Sequence, residues 1–281
     1  MPNNNVLVIG RANSGKTQFA GQLYGRLQET DSALKISKTP ANLEMLGEVL
    51  EALSQGNVAG HTVAETWDSL ELPIVNDNNH EFIINWPEYA GEQWDTIFST
   101  RSMSEQWKEQ LESSNRWLII IRLAEELTYP DFLDKLPNNT RPKKQDEPAT
   151  SSGWDANAYW VEKLQILLHL SKIGTSKKVK QPKIAVLLSC YDELDADEVT
   201  PNNVLEKRLP LLASFLLSNW EKNSLSIWGL SALGKDLKPD SNDDDFIDEG
   251  AENQGWVIAP NETLNNKDAD LTLPIKWLLD D

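Results

Sequence analysis

An eight-residue segment near the start of the chain, Gly10–Thr17, constrains the fold more than any other sequence feature. It reads GRANSGKT and fits the pattern G-x-x-x-x-G-K-[ST], known as the P-loop. A short apolar run, Val6–Ile9, precedes it, and a stretch of helical periodicity, Thr17–Leu27, follows it. In this strand–loop–helix context, the loop N–H groups and the helix N-terminus point together at a bound phosphate. The sequence therefore predicts a nucleotide-binding α/β domain.

Residues of this motif have separate expected tasks. The Lys16 ammonium is expected to reach the β- and γ-phosphates, and the Thr17 hydroxyl is expected to bind Mg²⁺. The alternative is an ordinary glycine-rich turn with an exposed lysine. The residues predicted to hold the phosphates and the metal ion are Gly10, Asn13, Ser14, Gly15, Lys16, Thr17 and Gln18.

Short apolar runs recur at 117–121 and 184–188, with helical patterns between them. Continuous apolar runs are typical of strands buried on both faces. A hairpin is predicted at Ser69–Trp86, with its turn at Asn76–Asn79. We therefore expect an α/β fold of the P-loop NTPase type, with a mostly parallel central sheet, one antiparallel strand and helices on both faces. A single domain is expected over residues 1–281, with an exposed insertion at about 128–152 and an acidic loop at about 235–255.

Composition narrows the classes of function. The 281 residues include 44 Asp and Glu against 26 Lys and Arg, which gives a net charge of −18. An acidic chain is a poor general binder of nucleic acid or anionic lipid, since both require a basic surface. The one cysteine, Cys190, excludes an internal disulfide framework. No apolar run reaches the roughly 18 residues of a membrane span, and the first residues lack a secretory pattern, so a cytoplasmic protein is expected.

Three later segments carry further candidate residues. They are Glu88-Tyr89-Ala90-Gly91-Glu92, Ser189-Cys190-Tyr191-Asp192 and Ser231-Ala232-Leu233, each predicted to follow or end a strand. Together with the P-loop, and in this order, they resemble the motifs of the translation-factor-related class of P-loop GTPases, which includes the Ras-like proteins. Within that class the chain looks most like bacterial double-GTPase proteins, whose closing Trp-Leu-Leu helix is matched by Trp277-Leu278-Leu279. Such proteins are often encoded in bacterial conflict and phage-defence islands, so the resemblance implies that context.

The resemblance implies roles for the residues that would face the γ-phosphate. Glu88 would hold a water on Mg²⁺, the Gly91 N–H would contact the γ-phosphate, and Glu92 stands where Ras-like proteins have a water-orienting Gln. Thr62 and Thr66 are both candidates for the switch I threonine that binds Mg²⁺. The alternatives are an ordinary strand-to-helix turn at Glu88–Gly91 and surface hydroxyls at the two threonines.

The resemblance also implies a guanine site. Asp192 would accept hydrogen bonds from guanine N1 and N2, a donor pair that adenine lacks, and the Ser231–Ala232 turn would offer a backbone N–H to guanine O6. For Asp192, the alternative is an acidic helix cap. The residues predicted to contact the base are Ser189, Cys190, Asp192, Ser231, Ala232 and Leu233.

The expected function is binding of GTP with Mg²⁺ and its hydrolysis to GDP, with the chain acting as a molecular switch. The expected partners are GTP and a protein partner or a second copy of the chain, with no nucleic acid and no membrane span. One alternative is a pseudo-GTPase that binds nucleotide without turnover, which the Glu88-for-Asp and Ser189-for-Asn departures favour. A second is an ATP-using P-loop kinase, for which the sequence shows neither a clear acceptor pocket nor a basic lid.

Overall fold

The structure is a computed structural model that describes residues 5–29, 31–40, 43–58, 70–87, 97, 100–129 and 154–280. Within these ranges, eight strands form one sheet. They are β1 (Asn5–Gly10), β2 (Lys35–Ile36), β3 (Leu70–Val75), β4 (Glu81–Trp86), β5 (Ser114–Ile121), β6 (Lys183–Ser189), β7 (Leu225–Ser231) and β8 (Trp256–Ile258). Their order across the sheet is β2-β3-β4-β1-β5-β6-β7-β8.

Helices connect and cover these strands. Those in the described ranges are α1 (Lys16–Arg26), α2 (Leu43–Ser54), α3 (Glu105–Glu112), α4 (Ala156–Leu170), α5 (Pro201–Arg208), α6 (Pro210–Asn219), α7 (Asp244–Glu249) and α8 (Leu273–Leu279). Among the described residues, no helix is long and apolar enough to cross a membrane.

Strand direction follows the predicted pattern. Strands β4, β1, β5, β6 and β7 are mutually parallel, which brings their carboxyl ends to one edge of the sheet. The predicted hairpin forms β3 and β4, so that β3 runs opposite to this parallel set. The short strand β8 is also antiparallel to its neighbour β7. The predicted α/β fold with a mostly parallel sheet is confirmed.

The side chains of the central strands alternate between the two faces of the sheet and divide the core into two layers. Leu7 and Ile9 of β1 belong to the cluster that includes buried side chains of α4 and α6, whereas Val6 and Val8 belong to the cluster that includes those of α1 and α8. Successive side chains of a strand point to opposite faces, so a continuously apolar strand supplies both layers. This arrangement explains why the central strands lack polar alternation.

The segment predicted as an acidic loop contains a packed element. Helix α7 begins after Asp243, whose side-chain Oδ1 accepts a hydrogen bond of 2.8 Å from the Phe246 N–H. The Phe246 ring is fully buried in a small cluster with Val49 and Leu53 of α2. The segment expected as an acidic loop thus includes a short helix, because one aromatic side chain anchors an otherwise acidic stretch. Most of the predicted insertion lies outside the described residues, in 130–153.

Candidate functional site

The P-loop joins the carboxyl end of β1 to the first turn of α1. Asn13 and Gly15 have positive φ values of 60° and 78°, in the left-handed region that glycine adopts without strain. The Ser14 hydroxyl donates a 2.9 Å hydrogen bond to the Arg11 carbonyl and closes the turn. A Cβ at Gly10 would lie 2.9 Å from the backbone oxygen of Ile120, so only glycine fits there without a backbone shift. The loop is thus a narrow backbone cradle.

The Lys16 side chain lies across the P-loop and forms hydrogen bonds with it. Its Nζ donates to the Gly10 carbonyl at 3.0 Å, to the Arg11 carbonyl, and to the Ser14 hydroxyl at 3.3 Å. Burial lowers the pKa of Lys16 from its ordinary value to about 7, because an ammonium is poorly solvated in this position. An anion in the cradle would favour the charged ammonium, which is the behaviour expected of a phosphate-binding lysine.

Thr17 and Gln18 lie in the first turn of α1, and both side chains are half-buried. This turn contains no acidic residue, so no carboxylate of its own opposes an anion at the helix N-terminus. Among the described residues, no group of three or more His, Cys, Asp or Glu could hold a metal ion. The hydroxyl of Thr17 fits Mg²⁺, which commonly takes few protein oxygens and completes its octahedron with water and substrate phosphates.

A buried hydrogen bond attaches the end of β6 to the P-loop. The Ser189 hydroxyl donates to the Ser14 carbonyl at 2.8 Å, and both side chains are buried. Cys190 follows in a left-handed conformation, and its Sγ lies 3.7 Å from the position of a Cβ on Gly15. Burial raises the pKa of the Cys190 thiol to about 12. The structure thus brings the predicted base motif into direct contact with the predicted phosphate motif.

Asp192 lies in a short 3-10 turn, Tyr191–Glu193, directly after this contact. The Tyr191 ring is fully buried, lies edge-to-face on Trp256, and occupies the space where a Cβ on Gly229 would be. The Asp192 side chain is half-exposed and forms no hydrogen bond or ion pair with any described residue. Its backbone is therefore firmly supported while its carboxylate points to no protein partner in this part of the chain. The helix-cap alternative is not observed, because Thr200 caps α5.

The turn after β7 lies beside the Asp192 turn, since β6 and β7 pair in parallel as far as Ser189 and Leu230. The buried Ser231 hydroxyl accepts a 2.9 Å hydrogen bond from the Gly234 N–H, which folds residues 231–234 into a tight turn. Ala232 and Leu233 form the centre of that turn and are half-exposed. Gly255 packs closely against this turn, since a Cβ at Gly255 would lie 2.3 Å from the Ala232 carbonyl oxygen.

Sequence reasoning missed two ion pairs at this edge of the sheet. Arg122, the residue after β5, donates from Nε to Glu193 Oε2 at 3.1 Å and from a second nitrogen to Glu193 Oε1. Arg11 donates to the buried Glu126 at 2.9 Å. A signal was present for Arg122, because it directly follows an apolar strand parallel to β1 and β6.

Side chains of α4 hold Glu126 and its partner Arg11 in position. Its Oε1 accepts a 2.9 Å hydrogen bond from Trp160 Nε1 on α4, while the Arg11 guanidinium lies 4.3 Å above the Tyr159 ring. Burial raises the pKa of Glu126 above its ordinary value, and the Arg11 charge opposes that rise. The P-loop is thus attached to α4 through Arg11.

Five predicted site residues, Thr62, Thr66, Glu88, Gly91 and Glu92, lie outside the described residues.

Several solved structures resemble the fold at low identity. The bacterial selenocysteine-specific elongation factor EF-Sec is 14% identical with a TM-score of 0.37, over 83% of this chain and 26% of its own. A GTP-binding protein from the archaeon Sulfolobus solfataricus, solved with GDP, is 14% identical with a TM-score of 0.35, over 82% and 47%. The signal recognition particle receptor SRb-GTP/SRX complex from Chaetomium thermophilum is 14% identical with a TM-score of 0.41. The match covers 83% of this chain and 93% of that chain. This chain therefore spans about a quarter of the elongation factor and about half of the archaeal protein.

None of the curated proteins matches the sequence of this chain. A sequence model of the family described as Double-GTPase 1 (DO-GTPase1) matches residues 7–278, which include the P-loop, the Asp192 turn and the turn after β7. The match extends over nearly the whole chain, in agreement with the order of motifs along the sheet edge. The chain therefore belongs to the Double-GTPase 1 family, and this membership supports GTP binding.

Proposed function

We propose that this chain binds GTP with Mg²⁺ at the carboxyl edge of its sheet, hydrolyses it to GDP, and acts as a molecular switch for a protein partner in the cytoplasm. One observation carries the proposal. The 2.8 Å hydrogen bond from Ser189 to the Ser14 carbonyl fixes the Asp192 turn against the P-loop. A phosphate cradle and an available carboxylate are thereby held in one site, as recognition of a guanine nucleotide requires.

Base selection in this proposal rests on Asp192 and on the turn at 231–234. The carboxylate accepts from guanine N1–H and from the 2-amino group, and both hydrogen bonds are charge-assisted. Adenine offers no such donor pair, so the Asp192 carboxylate would lose solvation without gaining partners. The backbone N–H groups at Ala232 and Leu233 supply the donor for guanine O6. Ser189 and Cys190 serve to position these groups on the P-loop.

Phosphate chemistry in this proposal rests on Lys16, Thr17 and the loop backbone. The N–H groups of the cradle and the Lys16 ammonium bind the β- and γ-phosphates and favour the charge that develops during phosphoryl transfer. The Thr17 hydroxyl would hold Mg²⁺, which would supply neutralisation of part of that charge. Glu88 and Gly91 are proposed to complete the metal and γ-phosphate contacts, and Glu92 to orient water.

Turnover is expected to need a second molecule. Of the arginines that the structure describes, Arg11 lies in the P-loop and Arg122 contacts it, and both are held in ion pairs, Arg11 with Glu126 and Arg122 with Glu193. Neither arginine is placed to neutralise charge on the γ-phosphate without first leaving a carboxylate. An arginine supplied by a partner protein or by a second copy of the chain is therefore proposed, and such a residue is typically worth about 10³–10⁵ in rate.

Single-turnover GTP hydrolysis over a series of protein concentrations tests this proposal. The expected result is slow hydrolysis at low concentration that accelerates as copies meet or as a cell extract supplies the partner. Lys16→Ala controls for contaminating phosphatases and should abolish the signal. Rapid hydrolysis at every concentration would show that the machinery is complete within one chain and would contradict the need for a second molecule.

The pseudo-GTPase remains the second candidate, since Ser189 and Glu88 stand where active relatives carry Asn and Asp. The same assay separates the two. Tight GTP binding with no hydrolysis under any condition would favour an interaction module that does not turn over its nucleotide.

A further inference from the structure

Arg122 connects three parts of the candidate site. It follows the last residue of β5 and reaches across the sheet edge to Glu193, with two guanidinium nitrogens on the two carboxylate oxygens. A third nitrogen, Nη1, lies 3.5 Å from the Asn13 carbonyl oxygen in the P-loop. A more exposed carboxylate, Glu125, lies 3.9 Å away and contributes less. The dominant contact is thus a two-point fork on Glu193.

Glu193 is directly bonded to Asp192 along the chain and belongs to the same short turn. The turn closes through a 3.0 Å hydrogen bond from the Glu193 N–H to the Cys190 carbonyl. On the other side of Asp192, the Tyr191 ring is fixed between Gly229 and Trp256. Asp192 therefore lies between two anchored neighbours, one held by packing and the other by the Arg122 fork.

We propose that Arg122 and Glu193 are positioning residues that hold the Asp192 carboxylate in register with the 2-amino edge of guanine. The inference rests on the proposed guanine site. Neither residue is assigned a contact with the nucleotide. The fork sets the rotation of the Tyr191–Glu193 turn, and the Asn13 contact sets the distance of that turn from the P-loop.

The geometry of the fork makes the inference specific to arginine. A planar guanidinium matches both oxygens of a carboxylate, whereas a lysine ammonium acts as a single point charge. Arg122→Lys retains the charge and loses the two-point contact, and Glu193→Gln retains the shape and loses the charge. Both changes should release the turn without replacing any P-loop residue.

The readout is the ratio of affinities for GTP and ITP. ITP lacks the 2-amino group and keeps N1–H and O6, so this ratio measures one donor alone. In the wild-type chain the ratio should be roughly tenfold or more, as for a hydrogen bond to a charged group. In Arg122→Lys and Glu193→Gln it should fall by about fivefold, as for coupled neighbours. Any general loss of affinity or of folded protein cancels in the ratio.

Controls separate this role from general stabilisation. Glu162→Gln breaks a different arginine–carboxylate pair, that of Glu162 on α4 with Arg101, and should leave the ratio unchanged. In an Asp192→Asn background, Glu193→Gln should have no further effect on the ratio, because it acts through Asp192.

The possible outcomes test the positioning role and the guanine site separately. A wild-type preference for GTP over ITP that persists in both Arg122→Lys and Glu193→Gln overturns the positioning role and leaves the proposed function standing. A fall in the ratio in both variants, absent in Glu162→Gln, supports it. A wild-type chain that does not distinguish GTP from ITP, or does not bind GTP, overturns the inference together with its guanine site.

Discussion

At the scale of single residues, the site combines a lysine shielded from water with a carboxylate that no described residue binds. Lys16 is an ammonium with little water around it, and burial lowers its pKa to about 7. Asp192 is a carboxylate without a described partner beside a fully buried tyrosine. Burying a charged group costs stability, and such groups are frequent at ligand sites, where an available carboxylate can also bind a donor. These residues therefore mark the site more clearly than the surrounding core does.

Asp192→Asn should shift nucleotide preference from GTP towards XTP. The amide can donate to the 2-oxygen of xanthine, whereas it offers the guanine 2-amino group no charged acceptor. The affinity for GTP should fall by roughly tenfold to a hundredfold, as when a hydrogen bond to a charged group is lost. Competition titrations with a fluorescent GTP analogue measure both affinities. An unchanged order of GTP, XTP and ATP would remove Asp192 from the base contact.

The single cysteine should alkylate slowly in the native chain. The thiolate is the reactive form, and burial raises the pKa of Cys190 to about 12, whereas an unfolded cysteine has a pKa of about 8.5. At pH 8 the native thiol should therefore react with iodoacetamide at least about a hundredfold more slowly than in urea-unfolded protein.

Mass spectrometry over time measures this alkylation directly, because one cysteine gives one label. A small free thiol in the same urea solution controls for reagent activity. GTP with Mg²⁺ should slow the native reaction further, since the Sγ lies next to Gly15. Equal rates in native and unfolded protein would show that Cys190 is not held against the P-loop.

At the scale of strands and helices, the sequence predicts those elements that a local pattern of residues defines. Strands β1, β5 and β6 were predictable because each contains a continuous apolar run, and the P-loop because the spacing of its residues defines its chemistry. Helix α7 was not, because one buried aromatic, Phe246, anchors six residues of which four are acidic. The Arg122–Glu193 pair was not, because its members lie 71 positions apart and meet only through the order of β5 and β6.

Phe246→Ala should destabilise the fold far more than its neighbouring change, Ile247→Ala. Phe246 is fully buried against α2, whereas Ile247 is 37% exposed. Truncation of a buried phenylalanine typically costs about 3–5 kcal/mol, and an exposed position about 0.5 kcal/mol. Urea unfolding followed by tryptophan fluorescence gives both free energies of unfolding. Equally small losses would mean that α7 does not pack against α2.

At the scale of the whole molecule, one sheet edge gathers the candidate chemistry. The P-loop follows β1, Arg122 follows β5, the Asp192 turn follows β6, and the turn at 231–234 follows β7. These strands are parallel neighbours, so elements far apart in sequence meet at one crevice, as ligand sites of open α/β sheets do. The net charge of the chain, −18, makes a cationic partner for turnover a consistent expectation.

The most direct test of the account is the affinity of the wild-type chain for GTP and for ATP, measured side by side by calorimetric titration with Mg²⁺. Lys16→Ala serves as the matched control and should bind neither nucleotide well. The account predicts that GTP binds at least about a hundredfold more tightly than ATP, because the Asp192 carboxylate finds its donor pair only on guanine. Equal affinities, or a preference for ATP, would contradict the guanine site and with it the proposed function.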